Sequence, residues 1–411
     1  MDREAVLVAL DVGTSKVVAL IGEVTRETGV TVIGKGSVPS SGLKKGVVIN
    51  IDQTVGSISS AREAAERLSG YRIESAIVAV GGNHVESQNS RGAVAVSGAK
   101  REVSREDVER ATEVARAVSI PSNREILHVL PRGFVVDGQE GVKDPLGMSA
   151  VRLEVETHIV HAGATAVQNL TKCVQRADIR IDELVAAALA AGDAVLTDTE
   201  RELGVAVADF GAGTIDLALY MDGQPFHTAV LPLGGNNVTN DIAIGLKTSL
   251  TAAEDLKIKH GTADPSLITE DEEVEVEGIG EGDATTASRK ELAEIVEARM
   301  REVFEKIGAE IERAGYKGML PAGLVMTGGA AQLTGTARLG REVLEAPVRI
   351  AGPTGVEGLT DHLLTPAFST SLGLLMWGAR GVTGYEPARY DTETGSGMMG
   401  RMRDWARGLF P

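Results

Sequence analysis

Two segments with the same arrangement, far apart in the chain, could bind phosphate. The first, Asp11-Val-Gly-Thr-Ser-Lys16, places an acid at the end of an apolar run and a Gly-Thr-Ser turn behind it. Backbone N–H groups and hydroxyls in such a turn can cradle phosphate oxygens. The second, Asp209-Phe-Gly-Ala-Gly-Thr-Ile-Asp216, repeats the plan, and its glycines would let a second turn approach the same phosphate chain.

The acids of the two segments also suggest a metal. If both turns face one cleft, the carboxylates of Asp11 and Asp209 can hold the water shell of a Mg²⁺ ion that neutralises the β- and γ-phosphates. The alternative is that each aspartate only caps nearby backbone. The candidate phosphate-binding residues are Asp11, Gly13, Thr14, Ser15, Lys16, Asp209, Gly211, Ala212, Gly213 and Thr214.

A third glycine cluster, Val325-Met-Thr-Gly-Gly-Ala-Ala331, follows an apolar strand and precedes a predicted helix. Gly328, Gly329 and Ala330 could let a flat adenine ring lie against the backbone. A Gly-Gly turn is also common in ordinary loops, so this cluster taken alone indicates little.

The two phosphate segments need strands on either side to position them. Apolar residues over 5–10, 16–24 and 29–38 predict a three-strand meander, and 204–232 repeats the same plan. Helical spacing over 55–68 ends at Gly70 and is followed by a buried strand over 73–80. The small side chains over 184–191 predict close helix packing. The pattern indicates a duplicated α/β fold.

Changes in sequence texture predict the domain boundaries. From 83 to 156 short strands, prolines and a charged helix capped by Ser104 indicate an inserted subdomain. We therefore predict a first domain core of 1–82 and 157–200, and a second domain of 201–380 with a small lobe at about 238–318. A polar, Gly-rich linker over 381–397 and a helix over 398–411 follow.

The three glycine-containing elements resemble the two phosphate loops and the adenosine loop of the actin, sugar-kinase and Hsp70 superfamily. Within it the sequence is most similar to the FtsA family of bacterial cell-division proteins, through segments 199–204, 232–241 and 253–261. The lobe inserted after Gly81-Gly82 also resembles FtsA rather than actin or MreB. The resemblance covers nearly the whole chain and implies an actin-like (ribonuclease H-like, duplicated) two-domain ATPase fold that binds ATP and Mg²⁺.

The resemblance also implies roles for individual residues. Gly234, Gly235 and Asn236 would lie near the nucleotide, and Glu254 and Lys257 would reach the ribose and adenine. Glu254 and Lys257 could instead form an ordinary surface ion pair.

Glu183 is the candidate catalytic residue. It lies in a stretch similar to the one where MreB and Hsp70 carry a glutamate that orients the attacking water. The proline that follows this glutamate in those families is missing here. Weak or slow ATP hydrolysis is the expectation.

FtsA-family proteins receive the C-terminal tail of the division filament FtsZ on the small lobe of the second domain. Arg289 and Arg299 are the candidate partners for acidic groups of that tail, although they could be ordinary surface arginines. The resemblance further implies self-association into filaments and binding of downstream division proteins by the inserted subdomain.

The C-terminal residues form one apolar stripe at helical spacing, with the basic residues mainly outside it. The stripe contains Met398, Met399, Met402, Trp405, Leu409 and Phe410, and the basic residues are Arg401, Arg403 and Arg407. An amphipathic helix that binds anionic membrane lipids is the prediction; a helix docked on the core would show the same stripe.

Composition limits the remaining possibilities. With 58 acidic and 41 basic residues the net charge is -17, which argues against nucleic-acid binding. The chain has one cysteine and no apolar run of the roughly 18 residues needed to span a membrane. We expect a cytoplasmic protein, peripheral on the inner face of the cell membrane at midcell. The rival interpretations are an actin-fold metabolic phosphotransferase and a PilM-like pilus-assembly adaptor.

Overall fold

The computed structural model of the 411-residue chain describes residues 5–25, 29–98, 101–270, 272–278, 284–359 and 362–383. The described chain forms two compact units. One contains the residues up to Ser87 and those from Ala162 onward, and the other contains Gln88–His161. The predicted C-terminal amphipathic helix, 398–411, lies outside the described residues.

The first half of the larger unit begins with the predicted meander. Its elements are β1 (Ala5–Val12), β2 (Lys16–Thr25), β3 (Gly29–Pro39), the short strands β4 (Leu43–Lys44) and β5 (Val47–Val48), α1 (Ile51–Ser69) and β6 (Ser75–Val80). The Asn50 side chain caps α1 by accepting a hydrogen bond from the Gln53 N–H, and Gly70 ends the helix with a left-handed φ of 72°. Apolar side chains of α1 and of the meander share one core.

The smaller unit is a four-stranded sheet covered by one helix. Its elements are β7 (Val85–Ala95), α2 (Arg105–Arg116), β8 (Arg124–Val136), β9 (Gln139–Val142) and β10 (Arg152–Gly163), in the sheet order β7-β10-β8-β9. Ser104 and Asp107 form a capping box at the start of α2, as the sequence predicted for Ser104. The predicted end of this insertion at 156 is too early, because β10 continues unbroken to Gly163.

The connection between the halves runs through α3 (Ala164–Arg176), β11 (Arg180–Ala186), α4 (Ala187–Val195) and α5 (Asp198–Leu203). The Ala-rich segment predicted over 184–191 is divided, with the strand ending at Ala186 and the helix beginning at Ala187. Every residue of α4 is buried, which requires the small side chains found there.

The second half repeats the meander and then adds the small lobe. Its elements are β12 (Val205–Phe210), β13 (Ile215–Met221), β14 (Gln224–Leu231), α6 (Gly235–Gly245), α7 (Leu250–His260), β15 (Glu273–Glu277), β16 (Ala284–Ser288), α8 (Arg289–Arg313), β17 (Leu324–Thr327), α9 (Thr336–Leu344) and β18 (Val348–Ile350). The sheet order is β14-β13-β12-β17-β18. In the acidic run of 270–283, the described part forms β15, which pairs with β16.

The end of the described chain returns to the first half. Strand β19 (Val356–Gly358) pairs in parallel with the edge strand β3, so the first sheet has the order β11-β6-β1-β2-β3-β19. Helix α10 (Ser369–Thr383) packs on β1, β2, β6 and α4. Part of the segment predicted as the second domain therefore packs on the first half: β19 satisfies the open edge of β3, and α10 covers β1, β2 and β6.

Helix α10 also corrects the predicted linker, because the helix includes residues 381–383. Its Gly373 lies so close to α4 that a Cβ atom there would clash with the Ala190 carbonyl. No helix within the described ranges combines the length and the apolar character needed to cross a membrane.

Candidate functional site

The turns of the two meanders are closed by the same hydrogen bond. Between β1 and β2 the Gly13 N–H donates to the Lys16 carbonyl at 3.0 Å, and between β12 and β13 the Gly211 N–H donates to the Thr214 carbonyl at 3.0 Å. In each case an aspartate, Asp11 or Asp209, is the last residue but one of the preceding strand. The two phosphate segments that repeat in the sequence therefore also form equivalent backbone turns.

Both turns line one cleft of about 1250 Å³. Of the predicted nucleotide-binding residues, those that line it are Asp11, Gly13, Thr14, Ser15, Lys16, Asp209, Gly211, Ala212, Gly213, Thr214, Gly235, Asn236, Glu254, Lys257, Gly328, Gly329 and Ala330. Gly234 lies behind the second turn instead, where a Cβ atom would clash with the Ala212 carbonyl.

The second turn contacts its neighbours closely enough to require glycine. A Cβ atom on Gly213 would lie 2.8 Å from Thr14 Oγ1 of the opposite turn. The start of α6 is fixed to the same turn, because the N–H groups of Gly235 and Asn236 donate to the carbonyls of Gly211 and Ala212 at 2.9 Å and 2.8 Å. The two turns can therefore approach one phosphate chain from two sides.

The carboxylates of Asp11 and Asp209 accept hydrogen bonds from hydroxyl groups at the start of α10. Ser371 donates to Asp11 at 3.0 Å, and Thr370 donates to Asp209. Burial raises the pKa of Asp11, and burial together with the charge of Asp11 raises the pKa of Asp209 to about 6. The same surroundings lower the pKa of Lys16, mainly through burial, although both acids oppose that shift.

Asp216, for which the sequence predicted no role, also lines the cleft. It accepts a hydrogen bond from the Thr214 hydroxyl at 3.0 Å. Burial raises its pKa to about 7, and the charge of Asp209 adds to this shift. In the sequence, the feature that could have indicated a role for Asp216 is its position as an acid within the otherwise apolar strand β13.

Three acids at the floor of one cleft are the donor type that a hydrated Mg²⁺ prefers. Among the described residues, no group of three acids, histidines or cysteines is close enough to bind a metal by itself. The arrangement thus fits an ion held through water and phosphate oxygens, which is the way predicted for Asp11 and Asp209.

The other end of the cleft has its own polar group. Lys257 Nζ lies 2.6 Å from Glu254 Oε2 and donates to Thr239 Oγ1 at 2.9 Å and to the Gly235 carbonyl at 3.2 Å. Thr239 in turn donates to Glu254. Both residues of the Glu254–Lys257 pair line the cleft, whereas an ordinary surface pair would lie away from it.

Comparison with known proteins identifies the family. Residues 206–373 match the family model described as "Cell division protein FtsA", and 82–161 match the "SHS2 domain inserted in FTSA". The cell division protein FtsA of Pseudomonas aeruginosa is 46% identical over 372 residues, which cover 90% of this chain and 89% of that protein. The chain belongs to the FtsA family. FtsA of Bacillus subtilis is 41% identical over 380 residues, covering 92% of this chain and 85% of that protein.

Solved structures confirm the actin-like fold. A chain of the "PilM-PilN type IV pilus biogenesis complex" has a TM-score of 0.65 at 17% identity, covering 91% of this chain and 98% of its own. MreB5 of Spiroplasma citri bound to ADP has a TM-score of 0.55 at 13% identity, covering 92% and 98%. The likeness to PilM is one of fold, whereas the identity to FtsA proteins places the chain in their family.

The role predicted for Glu183 does not fit its position. Glu183 is in β11, and its carboxylate accepts a hydrogen bond from Trp377 Nε1 of α10 at 2.7 Å. It is absent from the residues that line the cleft. The hydrogen bond from the Trp377 indole makes Glu183 a connection between β11 and α10.

The two arginines predicted to bind the FtsZ tail have partners within this FtsA-family chain. Arg299 binds both carboxylate oxygens of Asp241, at 2.5 Å and 2.9 Å, and also contacts Glu302. Arg289 donates to Glu272 at 3.1 Å. An acidic peptide would have to compete with these acids.

Proposed function

We propose that this chain is an actin-like, ATP-binding scaffold of cell division. It polymerises on the inner face of the cytoplasmic membrane at midcell and anchors FtsZ filaments there during septum formation. The observation that carries the proposal is the pair of equivalent phosphate turns at one cleft in a chain of the FtsA family. Nucleotide acts mainly as a switch of the scaffold.

In this proposal the chain's own residues position the phosphates and the attacking water. The turns containing Thr14 and Gly213 contact the β- and γ-phosphates, and Asp11 and Asp209 hold the water shell of Mg²⁺. A bound Mg²⁺ supplies positive charge that offsets the phosphate charge. In this proposal Asp216, rather than Glu183, accepts a proton from the attacking water or orients that water.

Equilibrium titration of the purified full chain with ATP and ADP tests the nucleotide part. ATP should bind in the presence of Mg²⁺ and bind more weakly when EDTA removes the ion. If neither nucleotide binds under either condition, the nucleotide switch is withdrawn. A titration with a nonhydrolysable ATP analogue separates binding from turnover.

The sequence of the last residues supports membrane attachment. An apolar stripe runs from Met398 to Phe410 and is accompanied by arginines, although the whole chain has a net charge of -17. The positive charge of these arginines favours contact with anionic lipid headgroups. Co-sedimentation with anionic liposomes and ATP should pellet the full chain and leave a chain ending at Gly397 in solution. If both chains stay in solution, the membrane part of the proposal fails.

The small lobe is proposed to receive the acidic tail of FtsZ through Arg289 and Arg299. Because Asp241 already binds Arg299, removing the charge of Asp241 should favour an incoming carboxylate. Titration with the FtsZ C-terminal peptide should show weaker binding by Arg299→Ala and tighter binding by Asp241→Asn, with Lys317→Asn as a control at an exposed position. Equal binding by the wild type and Arg299→Ala would remove Arg299 from the site.

The smaller unit is proposed to bind downstream division proteins. The support is its match to the domain inserted in FtsA proteins. In cells, a chain lacking 88–161 should still localise at midcell but fail to recruit those proteins.

A further inference from the structure

A short hairpin, formed by β4 and β5, contributes Leu43, Lys44, Lys45 and Gly46 to the lining of the cleft. Strands β4 and β5 pair through Leu43 with Val48 and through Lys44 with Val47, so the connecting turn consists of Lys45 and Gly46 alone. Both turn residues have positive φ, 50° at Lys45 and 74° at Gly46. Positive φ at both positions defines the tight turn that matches strand twist and favours Asn, Asp or Gly.

Lysine is therefore an unfavourable choice at the first position of this turn. A left-handed backbone brings Cβ close to the following carbonyl, and residues other than Gly, Asn and Asp rarely adopt it. Strain of this kind persists where the surrounding structure holds it and often marks a functional site. The backbone conformation of the turn therefore does not explain a lysine at position 45.

The hairpin tip is fixed between the elements that line the cleft. The Gly46 N–H donates to Thr14 Oγ1 at 3.1 Å. A Cβ atom on Gly46 would lie 2.6 Å from Gly82 Cα, and one on Gly213 would lie 3.0 Å from Lys45 Cα. The tip thus touches the first phosphate turn, the second phosphate turn and the end of β6 at once.

The base of the hairpin is equally fixed. The N–H groups of Ile49 and Asn50 both donate to the Gly42 carbonyl, at 2.8 Å and 3.1 Å. Gly42 has a φ of 86°, and Asn50 then caps α1. The hairpin is a rigid support that starts helix α1 on one side and presents Lys45 to the cleft on the other.

Lys45 lines the cleft and is exposed. Within the described ranges, no ion pair or hydrogen bond involves its ammonium group. Asp11, Asp209 and Asp216 line the same cleft and are less exposed than Lys45, so a phosphate chain bound near these acids would have the Lys45 ammonium on its solvent side. A flexible ammonium is well suited to bind a phosphate oxygen.

We propose that residues 42–49 form a third phosphate-binding element, in which the Lys45 ammonium binds the terminal phosphate of a nucleoside triphosphate. The hairpin then distinguishes triphosphate from diphosphate and passes that difference to α1 through its fixed base. This inference rests on the proposed binding of nucleotide in the cleft.

The test measures ATP-analogue and ADP affinities of the full chain with Mg²⁺. Lys45→Asn removes the charge and keeps a residue that accepts the left-handed turn. It should lower affinity for the triphosphate about tenfold to a hundredfold and leave ADP affinity within about twofold. Lys45→Arg should retain most of the triphosphate affinity, and Lys317→Asn controls for net charge.

The remaining outcomes overturn the inference. Unchanged triphosphate affinity in Lys45→Asn, or an equal loss for ATP analogue and ADP, would exclude contact with the terminal phosphate. A loss of triphosphate affinity in Lys44→Asn but not in Lys45→Asn would assign the phosphate contact to Lys44 and exclude Lys45. Binding of neither nucleotide by the wild type would refute the proposed function and this inference together. The melting temperature of Lys45→Asn without nucleotide should not fall, so a folding defect is distinguishable.

Discussion

Asp209 and Asp216 are directly opposite each other on the antiparallel strands β12 and β13. Opposite residues of an antiparallel pair project from the same face of the sheet, and here that face is the floor of the cleft. The equivalent position opposite Asp11 is Val18. The two meanders therefore share a backbone plan but differ in charge, and the second contributes an additional acid.

The pair predicts how stability without nucleotide depends on pH. Burial raises the pKa of Asp209 to about 6 and of Asp216 to about 7, so the folded state binds protons that the unfolded state has already released. This contribution to the free energy of unfolding is complete in acid and is lost as the pH rises through those values. Urea unfolding at about pH 5.5 and about pH 8 measures it.

The matched variant is Asp216→Asn, which cannot ionise. At pH 8 it should be more stable than the wild type by on the order of 2 kcal/mol, and the difference should shrink towards pH 5.5. A stability difference that does not change between the two pH values would show that the Asp216 carboxyl is not perturbed.

Asp209→Asn should separate binding of the metal from binding of the nucleotide. Asp209 is the predicted holder of the Mg²⁺ water shell, so the variant should bind MgATP at least about tenfold more weakly. Its affinity for ATP in EDTA should change much less. Titrations of both proteins with and without Mg²⁺ give the two ratios, and an equal loss under both conditions would argue against a role through the ion.

Neighbouring glycines of the adenosine loop should respond very differently to alanine. Gly328 has a φ of 89°, and a Cβ atom there would clash with Asp209 Oδ1. A Cβ atom on Gly329 would lie 3.8 Å from the nearest atom, Ala367 Cβ. Gly328→Ala should cost roughly 3 kcal/mol or more of unfolding free energy and impair nucleotide binding, whereas Gly329→Ala should fold normally. Similar thermal stability of the two variants would contradict the close approach.

A buried ion cluster joins three helices, α4, α5 and α10. Asp193 of α4 accepts a hydrogen bond from Arg201 of α5 at 3.0 Å and pairs with Arg380 of α10 at 2.6 Å. Its side chain is 2% exposed. Removing one partner of such a cluster leaves buried charge uncompensated, so Asp193→Asn should lose about 3 kcal/mol of unfolding free energy.

The exposed Asp182→Asn, whose side chain lies near Arg180 and outside the cluster, is the matched control, and it should change the unfolding free energy by no more than about 0.5 kcal/mol. Urea unfolding of both variants measures the difference. If Asp193→Asn is as stable as the control, the cluster contributes no net stability.

The sequence determined the elements that depend on local pattern. Alternating apolar residues, glycine turns and helical spacing predicted both meanders, α1 with its stop at Gly70, and the strand before Gly328. The two phosphate segments and the third glycine cluster indicated the cleft because their residue types recur in a fixed order. The FtsA family could be inferred for the same reason, since the family segments lie at matching places along the chain.

Only the tertiary structure decided which distant residues meet. The return of β19 and α10 to the first half depends on the open edge of β3 and on the sheet face formed by β1, β2 and β6, neither of which is a local property of 356–383. Glu183 does not line the cleft, and Trp377, far along the chain, binds its carboxylate. Asp216 and Lys45 gained importance because strand register and a turn of positive φ place them at the cleft, and such contacts arise only when separate segments pack together.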